Sequence, residues 1–232
     1  GLIGETDSGT AVTIANVSAT AVVEGQRTVG GLVGRHYFDR IENATSSGTV
    51  NASSTGGANA GGLVGWSGTE NSKTWLIDSD SNATVSALGA NVGGLAGQIR
   101  GRISRSFATG NVTGGRRVGG LVGRYDPVNG GIHTSYATGD VEAKGAAGEE
   151  FGGLVGESVA ATITGNFIVN VYATGAVDGH NETGGLVGYT NTDGDIENAY
   201  AAGSVSGVND TGGLVGNASG TTSDDSYWDE AR

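Results

Sequence analysis

The chain has no cysteine and no methionine, and it has a single proline in 232 residues. Without thiols it can form neither disulfides nor thiolate metal sites, so non-covalent packing alone must hold it together. No run of eighteen apolar residues is present and no secretory leader is visible, so direct membrane insertion of this segment is not expected. The chain opens at Gly1 inside a repeat motif, which reads as a processed product or an excerpt of a longer protein. Basic residues are scarce, at 12 against 24 acidic ones, and the net charge is −12. That balance disfavours nucleic acid and anionic membranes as partners. Lysine is nearly missing, with only Lys73 and Lys144, and an acidic chain that uses Arg instead of Lys fits life in concentrated salt, where self-repulsion is screened.

What is abundant is glycine, with 46 residues. Each glycine inside a helix costs about 0.8–1.0 kcal/mol relative to alanine, so an array of helices is untenable. Much of the glycine lies in a recurring Gly-Gly-Leu-Val-Gly segment or a close variant, at residues 1–4, 30–34, 61–65, 93–97, 119–123, 152–156, 184–188 and 212–216. Its leucines, Leu2, Leu32, Leu63, Leu95, Leu121, Leu154, Leu186 and Leu214, are 26 to 33 residues apart. A period of that length marks a repeat architecture whose units bury their apolar faces only by stacking.

A second motif lies between the leucines. An apolar residue precedes a valine by nine positions in unit after unit: Ile14 and Val23, Ile41 and Val50, Leu76 and Val85, Ile103 and Val112, Ile132 and Val141, Ile168 and Val177, Ile196 and Val205. Length varies only on either side of this stretch, which places the loops there. Short runs rich in Val, Thr and aromatics, bounded by Gly, Asn, Asp and Ser, read as strands of three to six residues. The expected fold is all-β, a parallel β-solenoid of about 7–8 coils with ~30 residues each, on the order of 35 Å long at the strand spacing. Leucine, valine and the leading isoleucine should stack as ladders. Alternate small residues such as Ala108 with Gly110, Ala137 with Gly139 and Ala173 with Gly175 share one strand face. Phe107, Tyr136, Tyr172, Tyr200 and Tyr227 belong to the other face as an aromatic ladder. The glycines beside Leu-Val mark positive φ or close backbone approach.

The pairing of Gly-Gly-Leu-Val-Gly with Ile-x-x-Ser-Tyr-Ala-Thr-Gly-x-Val, as in Ile132 to Val141 followed by Gly152 to Gly156, resembles the GLUG repeat of large bacterial and archaeal surface proteins. The resemblance covers essentially the whole chain. It implies an extracellular, cell-surface module of the kind found in adhesins and in non-catalytic regions of wall-attached peptidases. The acidic, lysine-poor composition adds a halophilic archaeon as the expected source. The first units depart from the pattern, with Ser18, Thr45 and Asp80 in place of the aromatic, so the aromatic ladder should begin at Phe107.

Candidate sites are few. Asn-x-Ser/Thr sequons begin at Asn16, Asn43, Asn51, Asn82, Asn111, Asn181, Asn209 and Asn217, and such enrichment suits a glycosylated surface protein. Asn181 and Asn209 read as loop positions and Asn51 as a turn, whereas Asn82 and Asn111 fall within the strand motif. Asn191, Asp193 and Asp195 place oxygen ligands at alternate positions beside a glycine, half of a calcium loop, and calcium is the one cofactor the pattern admits. His36, His133 and His180 lie in variable segments and read as solvated loop residues. Ser67 lacks the second glycine of a nucleophile elbow. Asp39, Glu42, Asp78, Asp140, Glu142, Asp178 and Asp195 are polysaccharide-cleaving carboxylates by type, but they do not recur at one coil position in adjacent units.

No catalytic residue is therefore expected. The leading reading is a non-enzymatic spacer or adhesin stalk whose partners are neighbouring repeats, copies of itself, or cell-surface glycans or proteins. Residues 217–232, including Trp228 and the carboxylates after it, read as a C-terminal cap of the last coil. One alternative is a subunit of a head-to-tail filament, with complementary faces at Gly1 and Trp228. The other is a carbohydrate-binding or polysaccharide-cleaving β-helix that uses Trp66, Trp75, Tyr37 and Tyr125 as platforms.

Overall fold

Residues about one period apart pair with one another in parallel along nearly the whole chain. The computed structural model describes residues 1–6, 9–37, 39–69, 74–127, 130–145, 148–159, 165–191, 194–221 and 223–229. Among them there is no helix, and no segment is a helix long and apolar enough to cross a membrane. The chain winds as a β-solenoid of about 7 turns with ~29 residues each.

Each coil contributes strands to three sheets. The first sheet holds the strand after each Gly-Leu, from Ile3–Glu5 and Val33–His36 through Val155–Ser158 to Val215–Ala218. The second holds the long motif between the leading isoleucine and the valine, and the third the short strand before Gly-Leu, such as Thr28–Gly30 and Glu149–Gly152. Register matches the sequence motifs. Ile14, Ile41, Leu76, Ile103, Ile132, Ile168 and Ile196 are successive partners. So are Val23, Val50, Val85, Val112, Val141, Val177 and Val205. The leucines follow through backbone bonds from Leu32 to Leu63, Leu95, Leu121, Leu154, Leu186 and Leu214.

The apolar interior is divided in two. One cluster gathers the leucines and leading isoleucines, the other the valines with Ala60, Val92, Val118 and Phe151. The glycines explain the division. A β-carbon on Gly94, Gly120, Gly153 or Gly185 would lie 2.8–3.1 Å from the β-carbon of Ala108, Ala137, Ala173 or Ala201, respectively. The bend before each leucine thus presses on the middle of the second sheet, where only alanine or serine fits. None of these four glycines has positive φ, so of the two roles expected for this position, close approach is the one adopted.

The second sheet is less fragmented than expected at one end: Ile14–Gly25 and Asp39–Ala52 run unbroken for 12 and 14 residues. Later coils break this run near Gly110 and Gly139, whose β-carbons would each lie 2.1 Å from the carbonyl oxygen of the coil before. The aromatic ladder begins at Phe107, whose register neighbour in the preceding coil is Asp80. Phe107 and Tyr136 stack at 4.8 Å and Tyr136 and Tyr172 at 4.7 Å, nearly parallel. Tyr200 meets Tyr227 edge-on at 5.8 Å.

One column was not foreseen. Two residues after each leading position, apolar in all coils but the last, where it is Ser223, the backbone turns left-handed, at Asn16, Asn43, Asp78, Arg105, Thr134, Asn170, Asn198 and Asp225, with φ between 46° and 56°. Asn and Asp tolerate that region best. The residue that follows faces inward, and in several coils it is a serine with a fixed task. Ser79, Ser106 and Ser135 are each 1% exposed. Their hydroxyls accept the backbone N–H of Ala44, Ser79 and Ser106 in the preceding coil, each at 3.2 Å.

Candidate functional sites

The candidate calcium ligands are not assembled by anything described. Asp193 lies outside the described residues, Asn191 is exposed after Thr190, and Asp195 sits on the strand Gly194–Ala202, paired with Asn166. Among the described residues no group of acidic and histidine side chains could hold a metal ion.

The histidines are not uniformly solvated. His36 is 1% exposed on the inner side of Val33–His36, and burial drives its pKa down to about 4. Such a ring stays neutral in ordinary buffers. His133 is half-buried on a strand of the second sheet, and burial together with Arg102 lowers its pKa. His180 is half-buried, its Nε2 2.7 Å from the carbonyl of Gly145. Ser67 is buried within Val64–Ser67, which removes any nucleophilic role.

The sequons also fall differently. Asn181 and Asn209 open strands of the third sheet instead of lying in loops, and Asn209 Nδ2 donates to Asn181 Oδ1 at 2.8 Å. The sequon hydroxyl Thr183 has no exposed surface. Asn51 lies within Asp39–Ala52, not in a turn. Asn217 donates to Glu182 at 3.0 Å. Asn16 and Asn43 occupy adjacent left-handed corners and are exposed, with Asn43 Nδ2 2.6 Å from Asn16 Oδ1. Asn82 and Asn111 are exposed and lie just outside strands, so access favours them over Asn181.

The carboxylates are mostly engaged. Asp78 holds Arg105 through two bonds of 2.7 Å, Glu42 holds Arg40 at 3.1 Å, and Asp140 accepts from the N–H of Ala176 at 2.9 Å. Contrary to the expectation from spacing, two of them do share a coil position: Glu142 and Asp178 are register partners. The motif already allowed this, since Glu142 and Asp178 each directly follow an aligned valine, Val141 and Val177.

A buried ionic cluster escaped sequence reading altogether. Arg124 and Glu157 are register partners on the first sheet, 3.1 Å apart, and Arg117 reaches Glu157 at 2.7 Å and Glu150 at 3.3 Å. Arg116 pairs with Glu150 at 3.0 Å, and Arg124 with Asp126 at 2.8 Å. Burial, with Glu150 alongside, pushes Glu157 up to about 7 despite Arg117 and Arg124. Perturbed carboxylates often mark active sites, yet these are buried under arginine, so the cluster acts as a clasp between coils.

The expected aromatic platforms separate into two kinds. Tyr125 is fully buried, donating to the carbonyl of Gly101 at 2.8 Å, and is no platform. Tyr37 and Trp66 meet edge-on at 5.5 Å, with Arg35 over both rings. Trp75 is 39% exposed, has Arg40 5.1 Å above its ring and is the register partner of Arg102.

The GLUG motif profile matches residues 25–51 and 179–206, so the chain carries GLUG repeats. Over 193 residues, 77% of this chain, it is 38% identical to Halomucin of Haloquadratum walsbyi. Over 136 residues, 52% of this chain, it is 35% identical to the Immunoglobulin A1 protease of Streptococcus sanguinis. It spans 2% of the first protein's length and 7% of the second's. No solved structure matches.

Proposed function

We propose that this chain is a non-enzymatic, extracellular repeat module that serves as a stiff segment of a stalk on a cell surface, in a halophilic archaeon. The observation that carries this reading is the in-register pairing of successive coils through three sheets at once. A coil of ~29 residues advances the rod by only about 4.8 Å, so the fold gains little reach per residue. What it gains is stiffness, because bending would open backbone hydrogen bonds in at least one sheet. The GLUG repeats, the likeness to Halomucin and the net charge of −12 all support a surface protein adapted to salt. The perturbed carboxylates do not favour the catalytic alternative, since Glu150 and Glu157 are held beneath Arg116, Arg117 and Arg124.

Negative-stain electron microscopy of the parent protein, with antibody labelling of this segment on intact cells, tests the reading. Straight rods of constant width, labelled at the cell exterior, are expected. Flexible strings at the position of this segment, or label only after lysis, would contradict it.

A further inference from the structure

The second sheet carries four basic side chains in its middle coils: Arg40, Arg102, Arg105 and the partly buried His133. Two of them are neutralised locally, Arg40 by Glu42 and Arg105 by Asp78. His133 stays neutral near pH 7, since burial and Arg102 both lower its pKa. Arg102 is exposed and forms no ion pair among the described residues, in a chain of net charge −12. A lone guanidinium on an acidic protein is a place where an external anion gains a charge-assisted partner.

The surroundings of Arg102 make it more than a solvated charge. On one side its register partner is Trp75, whose large ring remains 39% exposed. Arg40 lies over that ring at 5.1 Å, which orients the indole. On the other side the nearest described residues of the next coil are Gly130 and Gly131, and a β-carbon on Gly130 would stand 2.8 Å from the Arg102 backbone nitrogen. His133 lies over Gly131, its Nε2 2.4 Å from where a β-carbon of that glycine would be. The result is a shelf with an indole wall, a floor of imidazole laid over glycine, and a guanidinium with no ion pair among the described residues.

We propose that this shelf, centred on Arg102 and Trp75, binds an acidic saccharide, with the guanidinium taking the carboxylate and the indole taking the apolar C–H face of the pyranose ring. A stiff stalk needs no such site, so the inference is independent of the spacer reading.

The test is titration of the intact chain with trigalacturonate, followed by tryptophan fluorescence and by calorimetry. Arg102→Gln and Trp75→Phe are the variants, both at exposed positions, with their melting temperatures checked against the parent. Saturable quenching is expected in the parent and not in Trp75→Phe, which retains Trp66 and Trp228. Affinity should fall at least tenfold in Arg102→Gln, or about 1.4 kcal/mol. Lys144→Gln, a cation elsewhere on the rod, should bind as the parent does. No saturable binding by the parent, or unchanged affinity in folded Arg102→Gln, would overturn the proposal. So would an equal response to neutral maltotriose, or to sodium sulfate at matched ionic strength.

Discussion

The hydroxyl of Ser106 accepts the backbone N–H of Ser79, one coil earlier, at 3.2 Å and donates to the carbonyl of Ser104 at 3.0 Å. Beside it Arg105 has turned left-handed, so the chain has left the regular ladder at that corner, and the serine fills the vacancy. Ser106→Ala would leave a buried N–H unsatisfied and should cost about 1–3 kcal/mol, read from the urea unfolding midpoint. A change within ±0.3 kcal/mol would mean that the corner needs no such bridge.

The same corner contains a residue ill suited to it. Thr134 has φ of 50°, a region that β-branched residues avoid and asparagine tolerates. Its counterparts Asn16, Asn43, Asn170 and Asn198 show the preferred choice. Thr134→Asn should stabilise the chain by about 1 kcal/mol, seen as a higher melting temperature. A lower melting temperature would show that the threonine side chain has a role of its own there.

Two glycines separate close approach from mere composition. A β-carbon on Gly120 would lie 2.1 Å from the carbonyl oxygen of Gly153 and 3.0 Å from the β-carbon of Ala137, whereas one on Gly56 would meet nothing within 4 Å. Gly120→Ala should destabilise by about 3 kcal/mol or more. Gly56→Ala should be neutral or stabilising by up to about 1 kcal/mol. Equal effects of the two substitutions in chemical denaturation would contradict the packing described for the leucine bend.

Burial raises Glu157 from an ordinary 4.5 to about 7, so the folded chain binds its proton more tightly than the unfolded chain does. The stability this group contributes is complete below pH 4.5 and is lost as pH rises to about 7. Glu157→Gln stays neutral throughout. Relative to the parent it should gain on the order of 2 kcal/mol between pH 4.5 and 7 and little beyond. Melting curves from pH 4 to 8 check this, and a stability difference that does not change with pH would refute it.

The parts of the fold that were legible in the sequence are those where one residue type repeats at one coil position. The Leu, Val and Ile ladders and the stack from Phe107 to Tyr172 are of this kind, because interior width and ring stacking restrict what fits. The left-handed column was hidden, since Asn, Asp, Arg and Thr all occupy it; an Asn or Asp two places after the leading isoleucine was the available signal. The clasp left no signal at all. Arg117 and Glu157 are 40 positions apart, in different motifs, and only the winding of the coil brings them together. The shelf at Arg102 was half visible: Trp75 could be named from its type, but its pairing with Arg102 and the fold of His133 over Gly131 depend on register.

The central claim is a stiff stack of coils in fixed register, and a chain without cysteine is well suited to testing it with introduced labels. Glu24, Asn51, Ser86, Thr113, Glu142, Asp178 and Ser206 form one outward column of successive partners. Nitroxides on cysteines at 51 and 178, four steps apart, should lie about 19 Å from each other, and at 24 and 206, six steps apart, about 29 Å. Pulsed electron–electron resonance on the two double variants should give narrow distributions at these distances, differing by about 10 Å. Broad distributions, or two distances that do not scale with the number of coils between the labels, would contradict the account.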